Sequence, residues 1–215
     1  KEDVVLTVSN AGYIKRLPID TYKEQRRGGK GIIAAGTKEE DTIEHLFIAN
    51  THSYMLFFTN KGMIHWLKVY RIPEGTRQAK GKPIINLVDL DEGEKVNAFM
   101  PVDVFDDTHY LLFCTKQGTI KKTNLSAYQN PRAGGIIAIN LNEGDTLVNV
   151  LMTNGSEKIM IATHNGMAVK FHEKDARAVG RNSIGVRGIN LRDGDYVVGM
   201  VKASDEDTLL TITEN

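Results

Sequence analysis

The stretch Met55-Leu56-Phe57-Phe58-Thr59-Asn60-Lys61-Gly62-Met63-Ile64 decides how the chain is read. An apolar run stops at Thr, a polar link ends in Gly, and a second strand-like run begins. A short polar link carrying Gly between β-rich runs is the signature of a hairpin. The arrangement recurs. Val4-Val5-Leu6-Thr7-Val8-Ser9 leads to Asn10-Ala11-Gly12, Leu111-Leu112-Phe113-Cys114-Thr115 to Lys116-Gln117-Gly118, and Ile159-Met160-Ile161-Ala162-Thr163 to His164-Asn165-Gly166. The four glycines are 50, 56 and 48 residues apart, and Ile14, Ile64, Ile120 and Ala168 stand two positions after theirs. Leu209-Leu210-Thr211-Ile212-Thr213-Glu214-Asn215 repeats the upstream run, with Thr213 in the Ser/Thr slot.

The second half of each unit repeats as well. Leu87-Val88-Asp89-Leu90-Asp91-Glu92-Gly93, Ile139-Asn140-Leu141-Asn142-Glu143-Gly144 and Ile189-Asn190-Leu191-Arg192-Asp193-Gly194 read as strands ending in an acidic Gly turn. A further strand follows each, over 96–102, 147–152 and 197–201, whereas the first unit has Thr37-Lys38-Glu39-Glu40-Asp41 without the glycine. About four strands in roughly 50 residues is the period of a propeller blade. No stretch of ten or more residues sustains a helical period. The expected fold is all-β and blade-like: one domain over 1–215, with repeats 1–50, 51–104, 105–153 and 154–203 and a fifth begun at 204–215. Lys15 and Arg16 between Ile14 and Leu17 do not suit a flat half-buried strand, so a bulge or a strand leaving its sheet is expected there.

With 215 residues and 41% hydrophobic content, the chain is long enough for a sizeable core. It begins at Lys1 with no apolar leader and reads as a piece of something larger. No run of about 18 apolar residues is present to span a membrane. The single Cys114, inside an apolar run, is expected to be a small buried hydrophobe in a reducing compartment.

A net charge of zero excludes a uniformly basic surface, yet the charges are partitioned. The stretches 12–36, 61–82, 116–135 and 166–188 hold 21 of the 27 cations and 5 of the 27 anions. Cations gathered on one part of every repeat are the footprint of a nucleic-acid surface. The densest cluster is Gln25-Arg26-Arg27-Gly28-Gly29-Lys30-Gly31, where glycines permit close backbone approach and Arg and Lys suit phosphate oxygens. Its echoes are in register. Arg27, Arg77 and Arg181 lie 15 residues after their hairpin glycine and Arg132 lies 14 after its own; Lys30 and Lys80 lie at 18, and Gly31, Gly81 and Gly185 at 19.

This seven-residue box, with Tyr13-Ile14-Lys15-Arg16-Leu17-Pro18, Phe57-Phe58-Thr59-Asn60-Lys61-Gly62 and Gly185-Val186-Arg187-Gly188, resembles the C-terminal domain of the bacterial-type DNA gyrase A polypeptide over the whole chain. The resemblance implies a β-pinwheel, a propeller-like disc of four-stranded blades that exchange strands, with double-stranded DNA wrapped on a basic rim. It implies that the box is needed for chiral wrapping and negative supercoiling. It places the catalytic tyrosine and the ATPase site elsewhere in a heterotetrameric holoenzyme, formed with the rest of the gyrase A polypeptide and with the gyrase B polypeptide, in the cytoplasm at the nucleoid. On this reading Arg26, Arg27 and Lys30, flanked by Gln25, Gly28, Gly29 and Gly31 and helped by Lys15 and Arg16, clamp phosphates in the first unit. Arg77 and Lys80, then Lys121, Lys122 and Arg132, then Lys170, Arg181 and Arg187 carry the path onward. The corresponding domain of topoisomerase IV, whose box is typically degraded, and a propeller-type protein scaffold are the alternatives.

Other chemistry finds no support. Gly81-Lys82 runs into Pro83 and Lys30 into Gly31, so no P-loop is formed. Asp89-Leu90-Asp91-Glu92-Gly93 has its glycine out of register for a calcium loop. His45, His52, His65, His109, His164 and His172 show no metal spacing and are expected at the surface or in hairpins. Trp66, Tyr22, Tyr70 and Tyr128 are expected to pack within or between blades. No cofactor, metal or catalytic residue is expected in this domain.

Overall fold

The structure, a computed structural model, describes residues 1–22 and 41–208. The first repeat supplies β1 (Asp3–Ser9), β2 (Tyr13–Pro18) and β3 (Ile43–Asn50). The second supplies β4 (Tyr54–Thr59), β5 (Met63–Lys68), β6 (Lys82–Pro83) and β7 (Val96–Val102). The third supplies β8 (Tyr110–Thr115), β9 (Thr119–Asn124), β10 (Ile136–Ile137) and β11 (Leu147–Thr153). The fourth supplies β12 (Lys158–Thr163), β13 (Ala168–His172), β14 (Val186–Arg187) and β15 (Val197–Lys202). Among the described residues the only helices are short 3-10 turns, such as Leu125–Tyr128 after β9.

The strands form sheets of order β3-β1-β2-β6, β10-β5-β4-β7, β11-β8-β9-β14 and β13-β12-β15. Three strands of each sheet come from one repeat. In the first three sheets a fourth strand, two residues long, comes from the repeat that follows. β6 pairs with β2 through Tyr13↔Pro83 and Ile14↔Lys82, and β14 pairs with β9 through Thr119↔Arg187 and Ile120↔Val186. Blades therefore exchange strands. The chain divides into two compact units: Lys1–Phe58 with Ile64–Val104 and Pro131–Ile136, and Thr59–Met63 with Phe105–Asn130 and Ile137–Asn215.

In the first unit the core joins Val4, Leu6, Val8 and Ile14 to Met55, Phe57, Leu67, Val69 and Ile72. In the second it joins Leu112, Cys114 and Ile120 to Ile159, Ile161, Val197 and Met200. β1, β4 and β8 are buried along nearly their whole length, which is why they read as unbroken apolar runs rather than alternations.

The Ser/Thr slot has a physical cause. Ser9 Oγ accepts from Tyr13 N at 3.2 Å, Thr59 Oγ1 from Met63 N at 3.3 Å, Thr115 Oγ1 from Thr119 N at 3.1 Å and Thr163 Oγ1 from Met167 N at 3.1 Å. Each hydroxyl satisfies a backbone donor that the turn would otherwise leave unpaired. The acidic slot has one too. Asp41 Oδ1 accepts from Ala11 N, Asp145 Oδ1 from Gln117 N and Asp195 Oδ1 from Asn165 N, at 2.9–3.0 Å. Acid in the far half of a repeat thus ties down the hairpin of its own sheet.

Two expectations need correction. The segments after Leu87, Ile139 and Ile189 are not strands. Their apolar residues pack on the sheets, but the backbone forms single bonds instead of a ladder: Ala138 N and Ile139 N both donate to Gly62 O, and Gly188 N to Gly118 O. β2 also contains no bulge, because its register against β1 is continuous from Val4↔Pro18 to Val8↔Ile14. The irregularity lies on the other side of β1, at Val8/Ser9 against β3.

Strand exchange demands glycine. At Gly81 φ is +87°, and an added Cβ would stand 2.5 Å from Ile14 O. At Gly185 φ is +110°, and the distance to Ile120 O would be 2.2 Å. Gly12 has φ of +81° but open space around it. Gly12→Ala is therefore expected to cost about 1–2 kcal/mol, the left-handed penalty alone. Gly81→Ala is expected to cost more and to speed hydrogen exchange over 82–84, as read from urea midpoints and exchange mass spectrometry.

Candidate nucleic-acid interface

The Gln25-Arg26-Arg27-Gly28-Gly29-Lys30-Gly31 box lies outside the described residues. Its echoes and flanking cations fall into three groups. Lys80, Arg132, Lys170 and Arg187 are exposed, and Arg16, Arg77 and Arg181 are half-buried. Lys15, Lys121 and Lys122 are buried, which corrects the expectation that they stand on the surface.

In the first unit the loop after β5 crosses β2. Arg16 N donates to Pro73 O and Gly75 N to Arg16 O, at 3.0 Å each. Arg16 Nε donates to Ile72 O at 2.7 Å, and its Nη1 lies 3.2 Å from Glu74 Oε2. Lys80 Nζ stands 4.0 Å from the centre of the Tyr13 ring. Beneath this loop Lys15 Nζ donates to Thr76 O at 3.1 Å, Arg77 O at 2.8 Å and Ala79 O at 2.7 Å. Burial lowers the pKa of Lys15 from its ordinary value. Its ammonium is saturated and has no donor left for a phosphate.

The second unit repeats the plan. Val179 N donates to Lys122 O at 2.8 Å, and Lys121 Nζ donates to Ala138 O at 2.6 Å and to Arg181 O. Burial, with the Arg181 charge adding to it, pushes the Lys121 pKa down to about 7. Lys122 Nζ lies 3.4 Å from Glu173 Oε2 and donates to Glu173 O at 3.2 Å. Glu173 also accepts from Thr153 Oγ1 at 2.7 Å and from Glu157 N at 2.8 Å. Burial alone would raise the Glu173 pKa; those bonds and the Lys122 charge overcome it and hold it below the ordinary value.

Arg181 Nη1 donates to Ile137 O at 2.7 Å, and Arg187 Nη1 to Asn190 Oδ1 at 3.1 Å. Lys170 shares Asp205 with Lys158, and the two ammoniums hold that carboxyl down at about 2. Pairs this exposed are weak, so a phosphate can replace the carboxylate at little cost. Lys82 on β6 and Arg177 ahead of Arg181 are exposed cations that sequence reading counted without singling them out. Their signal is position, since both lie in the loop or strand passed to the preceding sheet.

Other side chains meet expectation unevenly. His65 is buried, with Nε2 3.3 Å from Glu94 Oε1, and is not a surface residue. Tyr128 is buried and donates to Ala138 O at 2.9 Å, while Tyr70 is half exposed beside His52. Trp66 is half-buried opposite Leu56. Burial lifts the Cys114 thiol to about 12, with the Asp145 charge adding to it. Among the described residues, no group of three or more His, Cys, Asp or Glu is placed to hold a metal, and no helix is long and apolar enough to cross a membrane.

A family model described as DNA gyrase C-terminal domain, beta-propeller, matches residues 3–50, 53–103, 109–154 and 157–204, one match for each repeat. The chain is similar to the A subunit of DNA gyrase from Halalkalibacterium halodurans, at 50% identity over 88% of this chain and 23% of the relative. It is similar to the A subunit of DNA gyrase from Salmonella typhimurium at 45% identity over 100% of this chain and 24% of the relative. The chain thus spans about a quarter of the length of these curated relatives. A solved C-terminal domain of DNA topoisomerase IV superposes with a TM-score of 0.82 at 33% identity, covering 96% of this chain and 62% of the other. A DNA gyrase A C-terminal domain superposes with a TM-score of 0.69 at 27% identity, covering 94% and 65%.

Two outcomes follow from the buried charges. Glu173→Ala leaves the Lys122 ammonium without its carboxylate and is expected to cost about 3–5 kcal/mol in urea unfolding; replacing both residues by Met and Leu is expected to cost far less. Between pH 7 and 10.5 Lys121 is neutral when folded and charged when unfolded, so the unfolded state binds more protons. Stability is therefore expected to rise with pH across that window, and Lys121→Met is expected to remove that rise.

Proposed function

The chain belongs to the DNA gyrase C-terminal domain family, and from that premise we propose that it binds and wraps double-stranded DNA without doing chemistry on it. The observation that carries the proposal is the recurrence of cations at fixed distances from the hairpin glycines, in loops that lie across the neighbouring sheet. The cations assigned to phosphate are Arg26, Arg27 and Lys30 of the box, then Arg16, Arg77 and Lys80, Arg132, Lys170, Arg181 and Arg187. Lys15, Lys121 and Lys122 leave that set, because burial removes them from the surface. Contacts to phosphate fix the duplex without reading bases, so binding is largely sequence-independent. Bending 20–30 bp costs on the order of 1–6 kcal/mol, which several distributed contacts offset.

The four repeats, with a fifth begun at 204–215, act as one pinwheel domain without a cofactor of its own. Wrapping on it enables a cytoplasmic, ATP-dependent type IIA topoisomerase, formed with the rest of the gyrase A polypeptide and with the gyrase B polypeptide, to introduce negative supercoils. A second reading is the equivalent domain of topoisomerase IV, favoured by the TM-score of 0.82 to that solved structure. The box separates the two. Replacing its seven residues by alanine in the full-length protein is expected to abolish supercoiling by the reconstituted enzyme and to spare relaxation and cleavage. Unchanged supercoiling refutes the role given to the box. In a salt titration of duplex binding, log K is expected to fall by about 0.9 per phosphate neutralised; a flat titration removes the DNA reading altogether.

A further inference from the structure

Resting on the DNA-binding reading, we propose that Lys15 and Lys121 are positioning residues, each fixing from inside its sheet the loop whose cations meet the phosphate backbone. They occupy one structural place. Each stands three residues after its hairpin glycine, with Lys15 opposite Thr7 and Lys121 opposite Phe113 in the ladder. Lys15 is 3% exposed and Lys121 1%.

Both amino groups donate to the loop laid over them and reach the same residue of it, while Lys121 Nζ also donates to Ala138 O outside that loop. Lys15 holds the carbonyl of Arg77, and Lys121 holds that of Arg181. These arginines are equivalent, each 15 residues after its own hairpin glycine. At Lys15 the carbonyls of Thr76 and Ala79 converge on the same nitrogen, so three peptide planes are fixed around one charge. The far end of each loop is held separately, where Gly81 lies against Ile14 O and Gly185 against Ile120 O. The cation-bearing segment is thereby pinned between two anchors.

A role in stability alone does not account for lysine here. Methionine would fill a similar volume without the desolvation penalty of a buried ammonium. What methionine lacks is the N–H donors that draw backbone carbonyls to one point, three at Lys15 and two at Lys121. The loop carrying Arg132 supplies an internal contrast. The residue at the equivalent place beneath it is His65, which meets the Glu94 carboxylate and packs against Gly135. Among the described residues no lysine stands at that place beneath the Arg132 loop, and its contribution to binding is independent of Lys15.

The test is a set of variants in the full-length protein, read by the salt dependence of affinity for duplex DNA. Lys15→Met is expected to lower the slope as much as the double variant Arg77→Ala/Lys80→Ala does, by about 0.9 for each phosphate no longer neutralised. The triple variant is expected to be no worse than the double, the non-additivity of residues acting as one unit. Lys15→Arg, which keeps charged donors, is expected to restore most of the slope. Lys121→Met with Arg181→Ala repeats the cycle. Hydrogen exchange in Lys15→Met is expected to quicken over 72–83 and to stay unchanged in β1 and β4. An unchanged slope, an additive triple variant, or faster exchange spread into β1 and β4 each overturns the assignment. A wild-type protein with no salt-dependent binding sinks the DNA reading instead, and local exchange over 72–83 still decides whether Lys15 holds the loop.

Discussion

The fold depends on a close approach of backbones. A two-residue strand from one repeat lies along the edge of the preceding sheet, and the glycine ahead of it rests on that sheet's own carbonyl. Two residues make few ladder bonds, far fewer than a strand of ordinary length. The joint holds because of what surrounds it: Ile84 N bonded to Gly12 O in one unit, Gly188 N bonded to Gly118 O in the other, and apolar residues such as Ile84 and Ile189 packed behind. Each of the first three repeats is thus completed by the next, and there sequence units differ from structural blades by one short strand.

The neutral composition conceals two jobs for charge. Asp41, Asp145 and Asp195 are committed to hairpin amides, and Glu94 to His65 and Asp91 N. Those acids are architectural, and their negative charge is used inside the blade. The cations divide more evenly. Lys15, Lys121 and Lys122 serve the interior, while Lys80, Arg132, Lys170 and Arg187 face solvent. The surface field is therefore set by fewer cations than the sequence contains, and its pattern is periodic because the loops that carry it are periodic.

Much of this was legible from spacing. The hairpin glycines, the Ser/Thr slot and the acidic turns each correspond to a hydrogen bond in the structure, because a turn's geometry constrains residues a few positions apart. Strand exchange was not legible from composition, since Lys82-Pro83, Ile136-Ile137 and Val186-Arg187 are chemically unlike and too short to show a period. Alternating apolar residues after Leu87, Ile139 and Ile189 gave a false strand signal, because packing on one side produces the same alternation whether or not a ladder forms. The buried lysines were missed for a related reason. A Lys beside an Arg in a cation-rich stretch reads as surface unless one knows that another loop covers it.

That last point bears on how such a site is built. A loop that meets a polyanion must be polar, glycine-rich and close to the sheet, the conditions under which its own carbonyls lack partners. Leaving several of them unsatisfied at a covered site would cost about 1–3 kcal/mol each. One ammonium below the loop satisfies up to three at once and does so from the side away from the ligand. Its desolvation cost is met by the carbonyl dipoles, which are themselves arranged by the same contact. The cation-bearing face and the buried lysine are in this sense one device, with the inner amino group fixing the backbone and the outer charges free to exchange a carboxylate or water for phosphate.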